Sequence, residues 1–116
     1  MKVVINTCFG GFGLSDLAFE KLLQRKGIEF EKKEEACMSH YYRKGHMNDN
    51  DYYLSEYDFY DNRSEADLIA VVEELGQLAN NNYSSLKVID IPDNIEWQVE
   101  EYDGREHIAE KHRTWY

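Results

Sequence analysis

The sequence predicts an α+β fold, with a mixed sheet that carries two helices on one face and a C-terminal antiparallel β-hairpin. Three observations support this prediction. An apolar run comes first, two later segments place apolar residues at helical spacing, and the last third alternates around an Asp-Gly pair. Because 116 residues can bury one core without disulfides, we expect a single domain over 1–116.

The chain begins with a predicted strand, a glycine-rich turn and a helix. Residues 2–5 are mostly apolar, and residues 10–13 contain three glycines. Ser15 is a suitable N-cap, and an apolar stripe predicts a helix over residues 15–26 that Gly27 ends.

The middle of the chain has no sustained periodicity. Residues 28–31 alternate and predict an edge strand. Residues 32–62 carry six tyrosines among Asp, Asn and Glu, which predicts a long loop or a hairpin insertion, with residues 57–60 as a short strand. Tyrosine supplies rigid, amphipathic contact area, so this segment is a candidate surface for self-association or for a partner protein.

The last half of the chain predicts a helix over residues 64–79 and a strand over residues 86–91, which Pro92 ends. Asp103-Gly104 is a strong two-residue hairpin turn. Counting outward from that turn pairs Tyr102 with Arg105, Glu100 with His107, Val99 with Ile108, and Glu96 with Lys111. The core-facing side then carries Ile95, Trp97, Val99 and Ile108, together with Glu101, Glu106, Glu110 and His112.

Charge and cysteine content exclude several classes of protein. Thirteen basic and 23 acidic residues give a net charge of −10, which argues against duplex nucleic acid as a partner. The two cysteines lack a disulfide framework, and neither a secretory signal nor a membrane-spanning run is apparent, so we expect a cytoplasmic protein without membrane partners. Neither Cys37, His40 and His46 nor residues 48–51 match zinc or calcium spacings, so no metal or cofactor is predicted.

The glycine turn is a candidate anion site, because a strand end and a helix start direct backbone N–H groups at one point. It does not match the P-loop, the dinucleotide fingerprint or the cysteine-phosphatase pattern. Arginine can clamp a phosphate, and tryptophan can stack on a base. The candidate ligand-binding residues are Asn6, Thr7, Cys8, Gly10, Gly11 and Phe12, with Arg105, His107, Arg113 and Trp115 from the C-terminal strand.

Three stretches of the chain resemble known sequences. They are VVINTCFGGF at residues 3–12, VVEELG at 71–76 with the strand at 86–92, and EYDG through EKHRTW at 101–115. In these stretches the chain resembles a family of small, mostly uncharacterised proteins of phages and prophages. The resemblance implies a place in the host-cell cytoplasm and a role in host modulation, including capture of a nucleotide signal. The tyrosine-rich middle falls outside it.

Three functions follow as hypotheses. The first is a binding protein, expected to be a homo-oligomer, that sequesters a phosphate-bearing small molecule or nucleotide. The second is a small hydrolase that uses Cys8 as nucleophile or His107 and His112 as acid–base groups. The third is an acidic inhibitor that binds a basic host protein through its carboxylates and the tyrosine-rich segment. We favour a binding role over an enzymatic one.

Overall fold

The computed structural model describes residues 1–36 and 38–110, and within them the α+β class is confirmed. Short 3-10 helices lie at Asn50–Tyr52, Glu56–Asp58 and Gly76–Ala79. The helices and strands, in chain order, are β1 (Lys2–Asn6), α1 (Asp16–Arg25), β2 (Phe30–Glu35), β3 (Met38–Arg43), α2 (Ala66–Leu75), β4 (Leu86–Asp90), β5 (Trp97–Tyr102) and β6 (Arg105–Glu110).

The described strands form three separate antiparallel pairs, β1–β4, β2–β3 and β5–β6, rather than the expected single mixed sheet. The pairing of β1 with β4 places Val4 opposite Val88. The other edge of β1 is already occupied, because the Val4 N–H donates to the Arg63 carbonyl at 2.9 Å and the Asn6 N–H donates to the Glu106 carboxylate at 2.9 Å. A third strand therefore cannot pair with this edge of β1.

Side-chain caps begin both helices, and α2 is shorter than the sequence predicts. The Ser15 side chain accepts a hydrogen bond from the Ala18 N–H at 3.1 Å and caps α1. Glu65 caps α2 in the same way, so this helix begins two residues later than the sequence predicts. It ends at Leu75 because Gly76 has a φ of 56°, and the 3-10 turn that follows completes the predicted span.

The tyrosine-rich segment is only partly a loop. Its first part is the β2–β3 hairpin, which was one of the two expected forms. The strand expected over residues 57–60 is wrong: the chain there forms a 3-10 helix, held by hydrogen bonds from Asp58 N–H to Ser55 O at 3.2 Å and from Phe59 N–H to Glu56 O at 2.9 Å. Tyr60 then enters the core, where it is 6% exposed.

The core lies between the two helices, β1, β4 and the tyrosine-rich segment. Phe19 of α1 packs edge-on against Tyr41 of β3, with ring centroids 5.1 Å apart. The buried core residues include Val4, Leu14, Ala18, Phe19, Leu22, Leu23, Tyr41, Leu54, Tyr60, Leu68, Val71 and Val72. The tyrosines therefore serve both the core and the surface.

The C-terminal hairpin is confirmed in its register. Tyr102 lies opposite Arg105, Glu100 opposite His107, and Val99 opposite Ile108. Asp103 and Gly104 have φ values of 51° and 87°, as a two-residue turn of this type requires. The expected pair of Glu96 with Lys111 lies outside the described residues.

Candidate functional site

The fully buried side chain of Asn6 anchors the end of β1. Its Nδ2 donates to the carbonyl oxygens of Cys8 at 2.7 Å and Gly104 at 2.8 Å. Its Oδ1 accepts from the Ser85 N–H at 2.9 Å. Both ends of the side-chain amide are therefore engaged with the chain itself, and Asn6 joins β1, the segment before β4 and the hairpin turn.

The glycines of the predicted anion site allow close contacts between segments. A Cβ on Gly10 would overlap the carbonyl oxygen of Tyr83, and a Cβ on Gly104 would overlap that of Phe9. Gly11 faces open space but has a φ of 92°, which favours glycine. The turn is thus packed between the residue 81–85 segment and the tip of the hairpin.

Thr7 and Cys8 bind the same neighbouring segment. The Thr7 hydroxyl donates to the Ser85 carbonyl at 3.0 Å, and the Cys8 thiol donates to the Tyr83 carbonyl at 2.9 Å. The thiol also lies 3.4 Å from Asn6 Oδ1. None of these partners is a base that would activate a thiol for hydrolysis.

A buried ion pair lies beside this turn, and the sequence did not predict it. The Arg63 guanidinium forms a bidentate ion pair with the Glu106 carboxylate, with distances of 2.6 Å to Oε1 and 2.8 Å to Oε2. It also covers the ring of Phe12 at 3.8 Å from the centroid. Glu106 was expected on the core-facing side, and a carboxylate there requires a cation; the sequence carried no sign that Arg63 would supply it.

The predicted residues of the C-terminal strand divide into two groups. Arg105 and His107 are exposed: Arg105 lies 5.9 Å from the Phe9 ring, and His107 lies 3.0 Å from Glu100. Arg113, Trp115 and His112 lie outside the described residues. The described positions thus bring Asn6, Thr7, Cys8, Gly10 and Phe12 to one corner, mainly through contacts within the chain.

A groove of about 650 Å³ opens elsewhere, between the start of α1 and the tyrosine-rich segment. Its floor includes Leu14, Phe19 and Leu54. Its rim carries large exposed side chains, with Met38 65%, Tyr57 69% and Tyr83 71% exposed. This groove combines apolar depth with aromatic rims, which is typical of sites that bind another molecule.

Two carboxylates give the groove its charge. Asp16 accepts from the Ser39 hydroxyl at 2.8 Å and lies 3.4 Å from Lys32 Nζ. Glu56 has no ion-pair partner within residues 1–36 and 38–110. Burial raises the pKa of Glu56, and the Asp16 charge adds to that rise, although the Leu14 backbone opposes it.

The groove therefore places negative charge at the start of α1, directly after the glycine turn where the sequence predicts an anion site. The start of α1 would attract an anion through its dipole. Two carboxylates of the chain already supply negative charge at the start of α1. Asp16 lies in the first turn of the helix, and Glu56 interacts with the backbone of Leu14, just before the helix. The described lining of the groove contains no Lys, Arg or His. Sequence reasoning found the tyrosine-rich segment but missed Asp16 and Glu56, because their proximity depends on tertiary folding.

Comparisons with known proteins give no relative for this chain: no protein-family model, curated protein or solved structure matches it. Within the part of the chain that the structure describes, no group of three His, Cys, Asp or Glu side chains could hold a metal ion. The described helices are all too short or too polar to cross a membrane.

Proposed function

We propose that this chain is a protein-binding module whose groove receives a lysine- or arginine-bearing segment of another protein. The observation that carries the proposal is the composition of the groove: Asp16 and Glu56, exposed tyrosines, and no basic side chain among the described lining residues. A guanidinium or ammonium group would give Glu56 the ion-pair partner that the described chain does not provide.

The overall charge of the chain supports the same partner. With a net charge of −10, the protein attracts basic surfaces and repels acidic ones over the range of a Debye length. Opposite charges raise the association rate and select among partners. If the resemblance to phage proteins holds, the partner is a host protein.

The rim of the groove supports a protein partner over a small ion. Tyr57 and Tyr83 project into solvent at this rim, whereas Tyr41, which also lines the groove, and Tyr60 are buried. Tyrosine and methionine are both enriched in interface cores, and tyrosine contributes much contact area for little lost side-chain entropy. Met38 and Leu17, which is 45% exposed, add apolar area at the same rim.

A phosphate ligand is less well supported than a basic segment. Asp16 and Glu56 occupy the start of α1, and their charges oppose a second anion there. Within the glycine turn, Gly10 is packed against the Tyr83 backbone rather than left open for a ligand. The hypotheses of nucleotide capture and of hydrolysis stay predictions.

The experiment measures binding of an acetylated, amidated peptide of alternating valine and arginine by calorimetry. We expect Glu56→Gln to weaken binding by about tenfold, the effect of one hydrogen bond to a charged group. Asp58→Asn is the matched control: it removes one charge from the same 3-10 helix at an exposed position outside the groove lining, and it leaves affinity nearly unchanged.

Two results would contradict the proposal. Equal losses in the Glu56→Gln and Asp58→Asn variants would assign the attraction to net charge alone. Failure of the peptide to bind at about 1 mM, with a rise in Tm on adding nucleotides, would favour the phosphate hypothesis instead.

A further inference from the structure

One edge of β3 carries backbone groups that point away from its partner strand. The Tyr41 carbonyl accepts a hydrogen bond from the Leu54 N–H at 2.8 Å, so it points away from β2. The Lys44 N–H donates to the Glu29 carbonyl at 3.1 Å, which makes that pair a bonded one. Hydrogen-bonded and non-hydrogen-bonded pairs alternate along an antiparallel ladder. Ser39 lies opposite Glu34, five pairs from the bonded pair of Lys44 and Glu29, so it belongs to a non-hydrogen-bonded pair. Its N–H and C=O therefore also point outward, away from β2.

The chain begins a third strand along this edge and then leaves it. Tyr53 forms an isolated antiparallel bridge with Tyr42, and Leu54 bonds to Tyr41. The next residues turn into the 3-10 helix Glu56–Asp58. No backbone hydrogen bond from elsewhere in residues 1–36 and 38–110 reaches Ser39.

The unfinished edge faces the groove. Ser39, Met38 and Tyr41 are all lining residues. An edge strand with unpaired N–H and C=O groups is a template for pairing with another chain. Recognition by strand addition takes its affinity from such backbone groups and its specificity from alternate side chains.

We propose that the partner segment binds as an added antiparallel β-strand, with its backbone hydrogen-bonded to Ser39 and its basic side chains directed into the groove. This inference rests on the proposed function and adds to it the conformation of the partner and the spacing of its charges.

Side-chain directions along the added strand define the partner sequence. A residue directly opposite Ser39 projects to the same face as the Ser39 side chain. On that face the Ser39 hydroxyl donates to Asp16 at 2.8 Å, and the Tyr41 hydroxyl donates to Glu20 at 3.1 Å. A basic residue at that position therefore lies beside the Asp16 and Glu20 carboxylates, which within residues 1–36 and 38–110 share a single cation, Lys32. The next residue projects to the face of Met38 and His40 and is expected to be apolar.

The experiment combines two variants with two modified peptides. Ser39→Pro removes the outward N–H but leaves the bonds between β2 and β3 intact, because proline is tolerated where the N–H of an edge strand faces solvent. Ser39→Ala is the matched control, since it loses the same hydroxyl contact with Asp16 and keeps the N–H. The probe is the acetylated, amidated heptapeptide Val-Arg-Val-Arg-Val-Arg-Val. Its two modified forms carry a methyl group on the backbone nitrogen of every arginine or of every valine.

We expect Ser39→Pro to weaken binding of the heptapeptide by about tenfold or more, and Ser39→Ala to weaken it by less than about threefold. Methylation of the backbone nitrogens of the arginines abolishes binding, because the arginine opposite Ser39 then loses the N–H that donates to the Ser39 carbonyl. Methylation of the backbone nitrogens of the valines leaves binding nearly unchanged. Circular dichroism and Tm of both variants verify the fold.

The outcomes separate the two proposals. In one outcome, Glu56→Gln weakens binding, Ser39→Pro and Ser39→Ala bind the heptapeptide with the same affinity, and the two methylated peptides bind equally well. The groove then binds basic segments, but strand addition is overturned. If Ser39→Pro unfolds the protein, the methylated peptides on the wild-type chain still decide the question. If Glu56→Gln has no effect, the proposed charge recognition fails even where strand addition holds.

Discussion

The guanidinium of Arg63 and the carboxylate of Glu106 form a bidentate ion pair that connects the C-terminal hairpin to the rest of the protein. Their side chains are 13% and 6% exposed. Glu106 Oε1 also accepts the Asn6 N–H at 2.9 Å, and the Arg63 Nε donates to the Tyr60 carbonyl at 2.8 Å. The pair therefore connects β6, β1 and the tyrosine-rich segment at one point.

Removing one partner of this pair is expected to be costly. Arg63→Met leaves the Glu106 charge buried without a cation, so the free energy of unfolding should fall by about 3–5 kcal/mol. Adding Glu106→Leu to that variant should recover part of the loss, since the uncompensated charge is then gone. Urea denaturation of the two single variants and the double variant measures the coupling between the residues. Additive losses would show that the two side chains contribute independently.

The glycine turn offers a prediction about packing. In Gly10→Ala the new Cβ meets the Tyr83 backbone, so the turn must separate from the residue 81–85 segment. We expect a loss of about 3 kcal/mol, typical of overpacking against a rigid neighbour. Gly45→Ala is the matched control, because its φ of 86° brings strain of about 1 kcal/mol but nothing lies within 4 Å of the new Cβ. Equal thermal stability of the two variants would contradict this packing.

Glu56 makes stability depend on pH in a defined direction. Its pKa in the folded protein is raised above 4.5, so the folded state binds more protons than the unfolded state as pH rises past that value. Stability is therefore lost through this window, and the cost persists at neutral pH. Glu56→Gln should raise the Tm at about pH 7 and raise it less at about pH 4. A Tm for Glu56→Gln below that of the wild type at about pH 7 would indicate that the carboxylate stabilises the fold.

This behaviour would distinguish a binding residue from a structural one. A substitution that raises stability and weakens peptide binding identifies a group whose unfavourable environment is retained for function. A residue that only supports the fold would lower both properties together.

Local signals predicted the elements whose limits depend on neighbours in sequence. Ser15 and Gly27 bracket α1, because capping needs only the adjacent backbone. Asp103 and Gly104 determined the register of the last hairpin, since a two-residue turn and the pleat leave one way to pair the strands. The same reasoning placed Glu106 on the inward face.

Tertiary contacts determined what local signals did not. The aromatic residues at 57–60 suit a strand, yet the chain turns there through the 3-10 helix Glu56–Asp58, and Tyr60 packs against Phe12 with ring centroids 4.5 Å apart. Arg63 lies in a polar stretch without periodicity and finds Glu106 only after folding. The groove has the same origin: Asp16 and Glu56 belong to different elements, and neither has a neighbour in sequence that marks it as part of a site.

The position of Gly104 limits how this protein can be altered or extended. Hairpin turns commonly accept inserted residues, fused domains or new chain ends. Here the Gly104 carbonyl accepts a hydrogen bond from Asn6 at 2.8 Å, and its Cα lies too close to Phe9 for a side chain. A longer turn would force the hairpin away from the body and strain the contacts of Glu106. Affinity tags, fluorescent reporters and circular permutation points therefore belong elsewhere, for example beside Gly45, where the surroundings are open.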